Sequence, residues 1–344
     1  MRVFIITVVL SFCAKGFATT KISAERSKEL LAYAKKSPRV KTDYIKVTDY
    51  LVKIANNDLE KAKLIYYWLS ENIAYDAESF QKGKYPTPTP NVTMANRKGV
   101  CSGYANLFQA MGNHAGLEVE VVGGYSKGYG FRQGTKFNST DHAWNVLTID
   151  GQKIFADATW GAGYIGKVKN KLVFTKRLND YWFNTNPYEA IFSHLPAYPE
   201  GNSHQLIKSK LTLTQYENLP YIRASFFKSG IVNASKVLSD YRKGIVHNLP
   251  KTYTLDVDVD ILKAPLEMVK KKKYQFKIAS KEGEAIVLHF KGQFVKRVEK
   301  NANNEYVFDY TPEKKGDFKI SIQYPKTIDP KGMFWSAMIY DVRK

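Results

Sequence analysis

Residues 99–108 read GVCSGYANLF, and the apolar positions from there on recur at helical spacing. Over SGYANLFQAMGNHAG (102–116), Tyr104, Leu107, Phe108, Met111 and Ala115 share one face. Gly116 stands where a helix C-terminus favours a left-handed residue. Cys101 therefore lies at or just before the first turn, where unpaired N–H groups and the helix dipole favour negative charge. The thiolate is the nucleophilic form of cysteine, and such a position lowers its pKa. Gly99 and Gly103 leave little bulk around the sulfur.

Downstream, LEVEVVGGY (117–125) alternates like a strand, and a polar, Gly-rich stretch, SKGYGFRQGTKFNST (126–140), follows. That stretch is long enough to overhang a site and shape a groove through Tyr129, Phe131 and Arg132. Two further strands, HAWNVLTI (142–149) and KIFADATW (153–160), are joined through Asp150-Gly151, a strong hairpin signal. A two-residue loop pairs Ile149 with Gln152, which sets Trp144 opposite Asp157 and His142 opposite Thr159. His142 and Asp157 are then diagonal neighbours on one face, about 7–8 Å apart at the backbone, within side-chain reach of each other. Cys101, His142 and Asp157 thus form a nucleophile, a base and a carboxylate to orient it, the set that acyl transfer requires. Backbone N–H groups near Cys101 would donate to a developing oxyanion.

GVCSGYANLF, DHAWNVLTIDG (141–151) and FADATWGAGY (155–164) resemble the three motifs of the transglutaminase-like superfamily, in its Cys…His…Asp order. The flavour is that of its kyphoscoliosis peptidase-like branch. EKAKLIYYWLSENIAYD (60–76) is similar to the helix before that core, and WFNTNPYEAIFSHLP (182–196) to a segment after it. The resemblance implies Cys101 as nucleophile, His142 as general acid–base and Asp157 as the carboxylate that orients the imidazole. It implies a papain-like α+β core, with the cysteine helix packed on an antiparallel sheet. It assigns no side-chain oxyanion donor. Tyr104, Trp144 and Trp160 are expected around the site as substrate contacts, the tryptophans as packing rather than chemistry, and His194 and His114 as structural residues. Acyl transfer at an amide is the expected reaction, by water in a peptidase or by an amine in a transglutaminase. The alternative is a papain-like scaffold without turnover that serves binding or assembly at the cell envelope. Neither a metal nor an organic cofactor is expected.

From Ala24 to about Phe80 the pattern is helical, and LEKAKLIYYWLSENI (59–73) puts Leu59, Ala62, Ile65, Tyr66, Leu69 and Ile73 on one stripe with charges opposite. KYPTPTPNVT (84–93) reads as an exposed connection, since proline restricts both itself and the preceding residue. Beyond Lys251 the chain turns β-rich, with about seven short strands that suit an immunoglobulin-like sandwich. The first, YTLDVDVDI (253–261), alternates, and Asp256, Asp258 and Asp260 read as its solvated face rather than a calcium site. Lys270–Lys273 reads as an exposed turn.

The chain has 344 residues, 44% hydrophobic and 14% aromatic, with a net charge of +20. Met1-Arg2, the apolar run VFIITVVLSF (3–12) and Gly16-Phe17-Ala18 form a signal-peptide pattern, so the protein is expected to be exported and extracytoplasmic. Removing residues 1–18 takes away Cys13 and leaves Cys101 unpaired, whereas exported proteins use most cysteines in disulfides. The expected organisation is a leader at 1–18, a catalytic domain at 19–200, a connecting region at 201–250 and a sandwich at 251–344. No internal run is long enough to span a bilayer, and no motif accompanies the basic excess that would point to nucleic acid. The expected partners are a protein or peptide substrate and anionic envelope polymers.

Overall fold

The computed structural model describes residues 21–197, 203–252, 259–326 and 334–343. Residues 1–18, expected as a leader and holding Cys13, and Tyr253, Leu255, Asp256, Val257 and Asp258 of the alternating stretch, lie outside them.

Helix Cys101–His114 begins at the cysteine itself, with Val100 as an N-cap that offers no side-chain acceptor. It ends at Ala115, and Gly116 follows at φ +79°. Its buried Tyr104, Leu107, Phe108 and Met111 pack on a four-stranded antiparallel sheet. The order across that sheet is Gln152–Ala156, His142–Ile149, Glu118–Ser126 and His194–Pro196. Gly112 permits the close approach, because a Cβ there would stand 2.5 Å from the Val119 side chain. Asn145 fastens the two layers: its amide donates to the carbonyls of Ala105 in the helix (3.1 Å) and Glu120 in the next strand (3.3 Å).

The hairpin turns on Asp150 (φ +50°) and Gly151 (φ +75°), and the ladder pairs Ile149 with Gln152 and Asn145 with Ala156. The expected strand over 153–160 stops short, however. Pairing ends at Ala156, and Ala158–Ala162 form a helical turn. Asp157 is its N-cap, accepting from the N–H groups of Thr159 (2.8 Å) and Trp160 (3.0 Å), so its pairing with Trp144 and that of Thr159 with His142 do not form.

Two other expectations are corrected upstream. The proline-rich connection ends at Thr89, whose hydroxyl accepts from Val92 N–H, and helix Pro90–Asn96 begins with proline at its first position, where the missing N–H costs nothing. Helix Asp58–Asn72 buries its supposed solvent face as well. Lys63 pairs with Asp180 at 2.8 Å and lies over the Phe183 ring, while Glu60 pairs with Arg26 at 2.8 Å. Charged residues tolerate that burial because each has its counter-ion.

The C-terminal part holds two antiparallel sheets. One has three strands, Val259–Lys263, Tyr274–Ser280 and Glu305–Tyr310. The other runs Gln293–Glu299, Ala285–Phe290, Gly316–Gln323, Phe334–Val342 and Lys251–Thr252. They face each other: Phe276 stacks on Phe308 at 4.9 Å within its own sheet and meets Phe318 and Tyr340 of the other at 5.9 and 5.8 Å. The core between them also takes in Tyr216, Phe226 and Leu238 from three short helices of the preceding segment, together with Ile191, Phe192 and Leu195. Among the described residues, no helix is long and apolar enough to cross a membrane.

Strand His194–Pro196 forms one edge of the four-stranded sheet, with Leu195 opposite Tyr125 and His194 opposite Ser126. Gly124 in the adjoining strand pairs with both His142 and Pro196. A Cβ there would collide with the Leu195 carbonyl and come within 2.5 Å of the Trp144 ring. Gly124→Ala is therefore expected to cost about 3 kcal/mol in urea melting, as for overpacking against backbone. A cost below about 1 kcal/mol would show that the strands part easily here.

Candidate active site

Cys101, His142 and Asp157 meet. The Cys101 thiol lies close enough to the His142 imidazole and the Ala143 backbone N–H for both to lower its pKa. Nε2 of His142 lies 2.8 Å from Oδ2 of Asp157, which leaves Nδ1 as the ring nitrogen for the sulfur. Asp157 is wholly buried yet fully engaged: Oδ1 takes the two N–H groups of its helical turn, and Oδ2 takes His142 and His194, the latter at 3.1 Å. The strand and the capped turn deliver the two partners from adjacent stretches of one hairpin.

The electrostatics follow from these contacts. Burial would raise the Cys101 thiol, but the hydrogen bond and charge of His142 and the Ala143 N–H lower it overall. Burial would lower the His142 imidazole, but Asp157, and then Cys101, raise it to about 10. Burial would raise Asp157, but His142 and His194 hold it well below the usual carboxylate range. Both shifts run toward a thiolate paired with an imidazolium.

His194 was expected to be merely structural. Burial lowers it to about 4 despite Asp157, so the ring is neutral at pH 7. To donate from Nε2 to the carboxylate it must hold its proton there, and Nδ1 then accepts from the Ser193 hydroxyl at 2.9 Å. It is a second anchor for Asp157, set in a box of Trp144, Phe155, Trp160 and Trp182 rings 4.3–5.2 Å away. The Ser193-His194 pair lies within the 182–196 segment noted above, but only the fold brings it to Asp157. His142, Asp157 and His194 place their ligand-type atoms within 4.8 Å of one another. Both Nε2 atoms converge on one carboxylate oxygen, however, so the cluster is closed by its own hydrogen bonds and directs no common set of lone pairs at a cation.

A cleft of about 750 Å³ opens beside His142. Trp160 lines it, as do Tyr129 and Phe131 of the overhanging segment. Arg132 is exposed and outside that wall. Tyr104 and Trp144, expected to meet substrate, are instead buried at 1% and 2% exposure, with the Tyr104 hydroxyl donating to the Ile73 carbonyl at 2.6 Å. Both pack beneath the site. The segment after Ser126 is well anchored: Lys127 is buried, donates to the Leu219 carbonyl at 2.8 Å and lies over the Tyr216 ring, and burial lowers its ammonium to about 7. Glu217 takes Lys136 and the Phe137 N–H at 2.8 and 2.9 Å. The sandwich contributes Glu282, Tyr324 and Trp335 to the same cleft.

Residues 45–160 match the sequence profile of the transglutaminase-like superfamily. With the helix, sheet and Cys–His–Asp cluster above, the chain carries a transglutaminase-like domain of α+β fold. Among its relatives it is similar to kyphoscoliosis peptidase: it is 34% identical over 196 residues to "Kyphoscoliosis peptidase" of Mus musculus, covering 57% of this chain and 29% of that protein. It is 29% identical over 214 residues to "Hillarin" of Drosophila melanogaster, covering 58% of this chain and 25% of that one. The chain thus spans less than a third of the length of these curated relatives. A crystal structure of a TGase aligns with a TM-score of 0.28 at 18% identity, over 49% of this chain and 38% of that one.

Proposed function

We propose that this protein performs acyl transfer at amide bonds of polypeptides through a thioester on Cys101, and that it does so outside the cytoplasm. The reading is supported by the 2.8 Å hydrogen bond between Asp157 and His142, by the lowering of the Cys101 thiol by His142 at the start of its helix, and by the cleft rich in aromatic side chains that His142 lines. The thiolate attacks the carbonyl carbon, His142 gives its proton to the departing amine, and the thioester remains. The same imidazole, now neutral, takes a proton from water or from a second amine as the thioester is resolved. Asp157 holds the ring and balances its charge without taking the proton. The relatives named as peptidases support hydrolysis. The aromatic walls suit bulky apolar residues of a polypeptide. The leader pattern at residues 1–18 supports export.

The test is a panel of N-acylated peptides with apolar residues, incubated with and without glycine ethyl ester and followed by mass spectrometry. Cleavage products are expected from the wild type and none from Cys101→Ala. Ester adducts in place of acids would identify an amine as the acceptor. Neither product, from a protein whose Cys101 is rapidly alkylated, would favour the binding-module reading.

A further inference from the structure

A tetrahedral intermediate at Cys101 carries a full negative charge on the former carbonyl oxygen, and one donor does not satisfy it. The Cys101 N–H is one candidate, since the first residue of a helix has no intrahelical acceptor. Two side-chain amides on neighbouring elements, Gln81 and Asn106, are already committed. Gln81 donates to the Asn170 carbonyl and accepts from Leu172 N–H, and Asn106 donates to the Pro88 carbonyl. So are the hydroxyls of Tyr66, Tyr67 and Tyr104, bound to Asn179, Asp180 and Ile73.

Tyr75 differs. Its short strand runs parallel to Lys98–Gly99 with Tyr75 opposite Gly99, two residues before the nucleophile, and Asp76 N–H locks that register on the Gly99 carbonyl at 3.0 Å. Phe80 and Phe174 hold its ring at 5.9 and 6.4 Å, and the side chain lines the cleft with His142 and Trp160. Among the described residues its hydroxyl has no hydrogen-bond partner. Burial, and next the charge of Cys101, push that hydroxyl well above the ordinary tyrosine value, so it remains a donor wherever the thiolate exists.

We propose that the Tyr75 hydroxyl is the side-chain donor of the oxyanion hole. The assignment rests on Cys101 being the nucleophile. As the sulfur lone pair forms the C–S bond, the C=O π pair moves onto oxygen, which accepts from Tyr75 O–H and Cys101 N–H. Tyrosine keeps its proton. On collapse the C=O bond re-forms, the C–N bond breaks and the amine leaves with the proton from His142.

Two reagents separate this role from that of the nucleophile. Iodoacetamide alkylates the thiolate by displacement and creates no oxyanion. An N-acylated dipeptide aldehyde with an apolar side chain adds the thiolate to its carbonyl and does create one. Tyr75→Phe keeps the ring that packs on Phe80 and Phe174, so folding is preserved and is checked by near-ultraviolet circular dichroism. The expected result is an iodoacetamide rate within twofold of wild type, with protection by the aldehyde weakened about 10²-fold and peptide cleavage slowed by about the same factor. Equal protection of wild type and variant would overturn the assignment. So would a wild type that alkylates rapidly and gains no protection from the aldehyde, since it would have no oxyanion pocket to lose. Slow alkylation of the wild type would instead strike at the Cys101 nucleophile and take this assignment with it.

Discussion

Alkylation of Cys101 by iodoacetamide at pH 6 is expected to slow about 10²-fold in His142→Ala. An ordinary cysteine, with a pKa of about 8.5, is only about 0.3% thiolate at that pH. Cys101 departs from this because the imidazolium and the Ala143 N–H outweigh its burial. Without the ring, burial is left unopposed by charge. The pH profile gives a second readout. In the wild type the thiolate–imidazolium pair extends from the depressed thiol pKa up to about 10, where His142 loses its proton. Peptide cleavage needs that proton for the leaving amine, so its rate should fall as pH passes about 10. Alkylation needs only the thiolate and should not fall. An alkylation rate unchanged by the substitution would show that His142 does not set the charge on sulfur.

Asp157→Asn should be the more damaging change, because it strikes the site and the fold together. The carboxylate is 0% exposed and accepts from two histidines and two backbone N–H groups. An amide has one acceptor oxygen, so either the histidines or the helical turn must face an NH₂ donor. Breaking a buried charged pair by altering one partner costs about 3–5 kcal/mol. Loss of the orienting carboxylate in such a triad lowers turnover by on the order of 10⁴. Linkage supplies the signature. The folded His142 pKa, about 10, exceeds its ordinary value of 6.5, so its stabilisation is full below 6.5 and is lost as pH rises through 10. Asp157 is the other end of the same interaction: its depressed pKa stabilises above the ordinary value of 3.8 and that contribution fades in strong acid. The wild-type melting temperature should therefore decline between pH 7 and 10, and that decline should flatten in Asp157→Asn. A variant with wild-type stability and an unchanged slope would remove Asp157 from this role.

The parts of the site visible in the amino-acid order are those fixed by local geometry. Asp150-Gly151 demands positive φ at both positions, and that alone sets which residues of the hairpin face each other. The helical period with Gly116 behind it places Cys101 at an N-terminus without reference to the rest of the chain. Where a residue serves two purposes, alternation misleads. Asp157 continues the strand rhythm, yet its carboxylate is spent on capping the following turn. Distant partners leave no local trace. Lys63 belongs on a solvent face by period and is drawn inside by Asp180, 117 positions away. His194 comes to Asp157 across 37 positions through an edge strand of three residues.

That edge strand has a consequence for how the molecule fails. Successive side chains on a strand point to opposite sides, so His194 reaches the Asp157 carboxylate while Leu195 is sunk in the hydrophobic interior shared with the sandwich. One peptide bond separates the two. Heat or denaturant that loosens the C-terminal sheets therefore arrives at the candidate site almost at once, and inactivation should keep pace with the melting of strands that lie more than fifty residues further along the chain.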